Sequence, residues 1–313
     1  MNLPAHQLDV VIVATEEYGL NAFGKVKGDE FFPIFSEALR GYGVNVHTFR
    51  SSSSFLAAKE RYGKCLLVLV FNESCILTPG SYQELVGVID AARDRSETLR
   101  ICNLPESGIL MGDKRRMNEQ LTAAGVAMPR IASRETGELI FSNSSVGSGA
   151  DVSVGTTCDP SKYNTDYIDT VQAFEDKQYY LSIRAMAIGE TLTTTIIRAR
   201  NIEEGSASVH TSNTPADPRL LNFLYAKVVM PRMRSIVDTC HRAGARLGLG
   251  FYAHDLLPPR GSSDVMLCES GFKFDDYSPR DYMGHISADL IANDYMNPGI
   301  ARRYAAVLLA QIL

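Results

Sequence analysis

Residues 8–15, LDVVIVAT, form an unbroken apolar run rich in β-branched side chains. A run with no polar face suits a strand covered on both sides, as in a parallel sheet. FFPIFSEALRGYG follows with apolar residues at helical spacing (Ile34, Phe35, Ala38, Leu39) and a glycine stop. VNVHTF, CLLVLVF (65–71) and LRICNL (99–104) read as three more strands. Between the last two, SYQELVGVIDAARD is expected to be a helix capped by Ser81, with Leu85, Val86, Ile89 and Ala92 inward. Repeated strand–helix units over the first hundred residues predict a small open parallel α/β sheet.

The pattern then changes. GDKRRMNEQLTAAGVAMPRI predicts a helix ending at Gly125, then a short strand. Residues 138–157, ELIFSNSSVGSGADVSVGTT, read as two strands joined by a glycine loop. YYLSIRAMAIG and TLTTTIIRAR predict long strands turning at Gly189–Glu190. From 218 onward a helical pattern meets Pro231, which should kink or divide it. LGLGFYAHDLL and DVMLCES then read as two strands around the turn PPRGSS. An α/β module is thus expected before a mainly antiparallel α+β module.

Composition bounds the function. With 313 residues, 45% of them hydrophobic, the chain can bury a large core without staples. A net charge of −5 carries no electrostatic footprint for nucleic acid, so no nucleic-acid partner is expected. The cysteines at 65, 75, 102, 158, 240 and 268 form no C-x-x-C pair, and reduced thiols in a cytoplasmic protein are expected. MNLPAHQLDV lacks the basic-then-apolar layout of a signal peptide. YAAVLLAQIL is too short to span a bilayer and reads as a core-packed helix, so no membrane partner is expected.

GLNAFGKV (19–26), close behind the first strand, is nearly a phosphate-binding P-loop. It lacks the Ser or Thr that must follow the lysine to hold Mg²⁺, having Val26 instead. The residues EEY separate it from the strand, and Gly28 and Pro33 make a poor first helical turn. A nucleotide is expected elsewhere.

The last hairpin carries more chemistry. The midpoint of positions 255 and 269 is 262, inside the turn PPRGSS (258–263), so Asp255 and Glu269 should sit roughly opposite each other. Like charges there repel, and a divalent cation would relieve the repulsion. Mg²⁺ commonly takes one or two carboxylates with phosphate oxygens and water. The alternative is a register off by one, with two unrelated solvated carboxylates.

The order of these stretches resembles the ATP-grasp superfamily of ligases over almost the whole chain. The resemblance implies three units: an N-terminal α/β domain (1–105), a lid (106–181) and a C-terminal catalytic α+β unit (182–313). It implies ATP and Mg²⁺, small carboxylate and amine substrates joined through an acyl phosphate, and a possible homodimer. Asp113-Lys114 matches the phosphate-contacting lysine, and Gly147, Ser148 and Gly149 the loop that closes over the phosphates. TDYIDT is similar to the adenine hinge, implying Asp166, Tyr167 and Ile168, with Asp169 toward the ribose. Arg184 and Arg198 match the arginines at the γ-phosphate and acyl phosphate, and Asp255 and Glu269 the metal carboxylates. His210 is an active-site candidate, while Glu16, Glu17 and Lys273 are candidates for substrate binding.

The match has gaps. A second lysine is usual on the strand before the glycine loop, where this chain has Phe141 or Ser142. The usual Glu-x-Asn reads Glu269-Ser270-Gly271, and an expected asparagine is Ser208. Asp275 or Asp276 is a candidate replacement metal ligand. A kinase of the same fold, or a nucleotide-binding protein without catalysis, are the competing readings.

Overall fold

The computed structural model describes residues 8–16, 31–71, 78–132, 138–146, 151–205, 207–209, 213, 215, 217–273 and 298–312. The apolar runs become the parallel sheet that their composition demands. Strands β1 (Leu8–Ala14), β2 (Asn45–Phe49), β3 (Tyr62–Val70) and β4 (Ser96–Cys102) lie in the order β2-β1-β3-β4. All three pairings are parallel, and β1 is completely buried from Val10 to Ala14. Helices α1 (Phe31–Gly41), α2 (Ser52–Ala57) and α3 (Pro79–Arg95) make the crossovers.

The cap of α3 differs from expectation. Thr78 is the N-cap, its hydroxyl accepting from the Ser81 amide, because Pro79 with its fixed φ takes the first helical position. Helices α2 and α4 (Pro105–Gly112) have no counterpart in the sequence reading. Helix α5 (Lys114–Ala123) is capped by Asp113 and ends at Gly125 in left-handed conformation, φ +80.

Two antiparallel sheets follow. A small one has the order β6-β5-β7, from β5 (Ile140–Asn143), β6 (Ser153–Gly155) and β7 (Tyr163–Asp166). The larger one runs β10-β9-β11-β12, with β8 (Gln172–Phe174) also on β9. Its long members are β9 (Lys177–Ile188) and β10 (Thr191–Asn201), and its final hairpin is β11 (Phe251–Leu257) and β12 (Met266–Phe272).

Helices α6 (Pro218–Leu224) and α7 (Met230–Leu247) flank a π-helical turn, Tyr225–Val229. Pro231 falls at the start of α7, where the regular helix is interrupted. The widened turn just before it accommodates the missing N–H and the ring. Helix α7 packs against β9 and β10, and α8 (Pro298–Ile312) lies on α1 and on the same two strands. One apolar core runs through both the parallel and the larger antiparallel sheet. Cys65, Cys102 and Cys240 are buried thiols within it.

Candidate active site

Four adjacent strands present charge toward one cavity. Arg198 on β10 is the register partner of Ser182 on β9, and Arg184 follows two residues later on the same face. Across β9's other edge, Arg184 pairs with Asp255 on β11, which pairs in turn with Glu269 on β12. Arg184 grips Asp255 with both ends of its guanidinium, Nε to Oδ1 at 2.7 Å and Nη2 to Oδ2 at 2.8 Å. Arg198 Nη1 lies 3.5 Å from the same Oδ1, and Arg198 is only 1% exposed.

The two carboxylates are displaced in opposite directions. Burial alone would raise Asp255, but Arg184 and Arg198 outweigh it and hold the group down at about 2. Glu269 is raised, first by burial and then by the charge of Asp255, against the nearby Lys114. Burial and the same carboxylates push the neighbouring Cys268 thiol up to about 12.

Lys114 comes from elsewhere in the chain. It opens α5 and is 3% exposed, with Nζ donating to the Ser144 carbonyl at 3.3 Å. Its amide donates to the Ser145 carbonyl at 2.8 Å, and the Ser145 hydroxyl donates to Asp113 at 2.6 Å. The segment entering the glycine loop is thereby fastened to the start of α5. At the loop's far side, Asp151 accepts from the Ser144 amide (3.1 Å) and hydroxyl (2.7 Å).

The cavity has a volume of ≈ 490 Å³ and is lined by Lys114, Arg184, Arg198, Asp255 and Glu269 together with Asp166, Tyr167 and Ile168. Phe141, Tyr163, Tyr180 and Leu257 add apolar wall. At the hinge, the Asp166 amide donates to Arg130 O and the Tyr167 amide to Leu139 O. The Ile168 amide has no acceptor among the described residues. The Asp166 carboxylate is held by Arg130, Nε at 2.8 Å. Burial raises the Tyr167 hydroxyl to about 12.

Other candidates lie apart. Asp169 is not in the cavity wall; it accepts from the Val171 amide at 2.9 Å and lies 3.8 Å from Arg260. The Glu16 carboxylate accepts from the Ser53 amide at 2.9 Å, and the Ser53 side chain, then this amide, lower its pKa. Lys273 directly follows β12, its amide donating to Phe251 O, and lowers Asp255 from outside the cavity wall. Glu17, Gly147, Ser148, Gly149, His210, Asp275, Asp276 and the GLNAFGKV segment lie outside the described residues.

Asp255 and Glu269 fit a hard cation as a two-carboxylate set, which phosphate oxygens and water would complete. Among the described residues no third His, Cys, Asp or Glu joins them. Gly271 has no side chain to offer, and Ser270 is turned to the opposite face, its hydroxyl 2.8 Å from His254 Nδ1. Burial lowers His254 to about 4, so it is a neutral supporting ring behind the site.

The sequence reading passed over Asn143, Ser182 and Tyr180 as cavity residues. Strand alternation puts Asn143 on the same face as Phe141, without showing which face meets the cavity. Phe141 and Asn143 face the cavity, whereas Ser142 faces away and donates to Asn164 at 2.6 Å.

No protein-family model and no curated protein matches the sequence. Solved structures do match. The ATP-grasp ligase PsnB complexed with minimal precursor, Mg and ADP superposes with a TM-score of 0.51 at 13% identity, covering 99% of both chains. PsnB complexed with the precursor peptide PsnA2 and AMPPNP gives 0.50 at 12% identity, again over 99% of both. A RimK domain ATP-grasp protein from Sphaerobacter thermophilus gives 0.50 at 12% identity, over 96% of this chain and 99% of its own. The chain has the ATP-grasp fold.

Proposed function

We propose that this ATP-grasp chain is an ATP-dependent carboxylate–amine ligase. It would activate an acid as its acyl phosphate and release ADP and phosphate as the amide forms. One observation carries the reading: Lys114, Arg184, Arg198, Asp255 and Glu269 converge on a single cavity that also holds the hinge Asp166–Ile168. The first group matches a triphosphate and its counter-ion, the second a base. PsnB, of the same fold, was solved with minimal precursor, Mg and ADP, and with the precursor peptide PsnA2 and AMPPNP, which supports ATP and Mg²⁺ as what this site would take.

Two bond exchanges are required. A carboxylate oxygen of the acid attacks the γ-phosphorus, and the bond to ADP breaks. The amine nitrogen then attacks the acyl carbon, phosphate departs, and the nitrogen loses a proton. Such chemistry needs positioning and charge neutralisation rather than a protein nucleophile. Lys114 would hold phosphate oxygens from the start of α5. Arg198 would hold the γ-phosphate and Arg184 the acyl phosphate, whose charge grows on attack. Mg²⁺ held by Asp255 and Glu269 would supply further neutralisation of the phosphates. The loop of Gly147, Ser148 and Gly149 would close the site against water, and His210 remains our catalytic candidate. Glu16, Glu17 and Lys273 remain our candidates for the acceptor side, Asp169 for the ribose, and a cytoplasmic homodimer the setting.

Phe141 and Asn143 face the cavity from the strand on which a second lysine is usual, which favours one alternative: nucleotide binding without turnover. Substrate-dependent ADP release separates the two, and amide product separates ligase from kinase. A complex with a nonhydrolysable ATP analogue and Mg²⁺ tests the site directly. Phosphates bound away from the Asp255–Glu269 hairpin would sink the reading.

A further inference from the structure

The turn that closes the final hairpin is tied to two other parts of the chain. Within it the Ser262 amide donates to the Pro259 carbonyl at 3.2 Å, and Gly261 has φ +74. This is a type II turn with Arg260 at its second position. The Arg260 amide takes no part in closing the turn and donates instead to the Asp169 carbonyl at 2.7 Å. Behind the turn stands Arg232 on α7, 8% exposed. It pairs with no carboxylate among the described residues. Its Nη1 donates to the Val228 carbonyl at 3.0 Å and its Nη2 to the Pro259 carbonyl at 3.1 Å. The Val265 amide, donating to the Ser235 hydroxyl at 3.0 Å, fastens the end of the loop to the same helix. Burying a guanidinium on carbonyls alone costs stability, so this brace calls for a reason.

What the turn holds supplies one. Asp169 follows directly on the hinge, whose near end is fixed by the Asp166 and Tyr167 amides on Arg130 O and Leu139 O. Between the two anchors lies Ile168, which lines the cavity and whose amide has no acceptor among the described residues. A peptide that is to meet a planar base by hydrogen bonds must have its own plane fixed, since these bonds weaken steeply with angle. Neighbouring carbonyls fix this one on one side, and the Arg260 amide fixes it on the other.

We infer that the PPRGSS turn positions the hinge for the nucleotide base, through the main-chain N–H of Arg260 on Asp169 and with Arg232 bracing the turn from behind. This rests on the ATP site proposed above. Neither arginine lines the cavity, so both are positioning residues, acting on affinity through the hinge peptides.

The test compares Arg260→Pro with Arg260→Ala, by calorimetric titration with ATP and Mg²⁺ and by hydrogen exchange of the nucleotide-free proteins. Both variants lose the side chain and its 3.8 Å approach to Asp169. Only proline also loses the N–H, and it suits the second position of a type II turn. The proline variant is expected to bind ATP about tenfold more weakly than the alanine variant, because a hinge released at one end must be ordered on binding. Its exchange should quicken over residues 166–171 and stay unchanged in β11 and β12. Equal ATP affinities of the two variants would overturn the assignment. Faster exchange throughout the chain would overturn it as well, by showing a merely structural role. Should the proline variant not fold, Arg232→Met against wild type gives the same two readouts. A wild-type protein that binds no ATP would overturn the ATP site itself, whereas wild-type binding with equal variants would overturn this assignment alone.

Discussion

Asp255 and Glu269 are direct register partners across the final hairpin, and an irregularity one step away is what makes them so. Nearer the turn, Leu257 pairs with Met266 and Leu256 with Leu267. Had that register continued, Asp255 would face Cys268, and Glu269 would pair with His254 on the buried side of the sheet. A bulge at Cys268 absorbs one residue and brings Glu269 to the cavity face on which Asp255 already stands.

Removing Glu269 should separate chemistry from folding. Glu269→Ala is expected to abolish ADP formation while circular dichroism and melting stay native-like. Glu269→Gln should also be inactive, and because it deletes a buried charge it should melt at or above wild type. Turnover in either variant would refute the metal assignment.

The opposite displacements of the two carboxylates predict a particular acid profile. Asp255 is lowered from 3.8 to about 2, so its stabilisation is present above its unfolded pKa and is lost as pH falls toward 2; the shift corresponds to about 2 kcal/mol. Glu269 is raised from 4.5, so its charged form destabilises the folded protein at neutral pH, and the penalty lifts as pH falls through its folded pKa. Urea unfolding across this range should show Glu269→Gln losing the acid-side relief and Asp255→Asn losing the steep decline below about pH 4. Identical profiles for wild type and Glu269→Gln would show that Glu269 titrates normally.

Asp255→Asn should destabilise by about 3 kcal/mol, because two largely buried guanidiniums lose the carboxylate on which they converge. Arg184→Lys keeps the charge but gives up the two-pronged grip of 2.7 and 2.8 Å. It should cost less in stability than Asp255→Asn and at least tenfold in kcat, a loss that steady-state kinetics would detect.

The scaffold behind the site can be probed at Gly244. A Cβ there would lie 2.2 Å from the Gly189 carbonyl oxygen, where α7 crosses the β9–β10 turn. Both partners are backbone and cannot step aside, so Gly244→Ala should cost about 3 kcal/mol in denaturant unfolding. Gly87→Ala, inside α3 with nothing within 4 Å of the added carbon, should instead stabilise by about 0.5–1 kcal/mol.

What could be read in the sequence was what local patterns control. The buried run at Val10–Ala14 demanded a parallel sheet, and a midpoint falling inside PPRGSS placed Asp255 opposite Glu269. The same count concealed the bulge, since a midpoint cannot show where an extra residue is absorbed. Thr78 rather than Ser81 caps α3 because one proline sets the helix start, a competition between neighbours that residue type alone does not decide. Pro231 sits beside a π-turn that hydrophobic spacing does not encode. Asn143 escaped because β5 is four residues long, too short for its alternation to show which side meets a cavity built by other strands.

The bulge at Cys268 has a consequence for how this hairpin could vary. It works as a phase corrector between the loop and the carboxylates. A residue gained or lost in PPRGSS need not be transmitted to Asp255 and Glu269, because the slack can be taken up one position before them. Loop length and carboxylate alignment are then two independent dials, and the outer end of the hairpin can be reshaped without retuning the chemistry at its inner end.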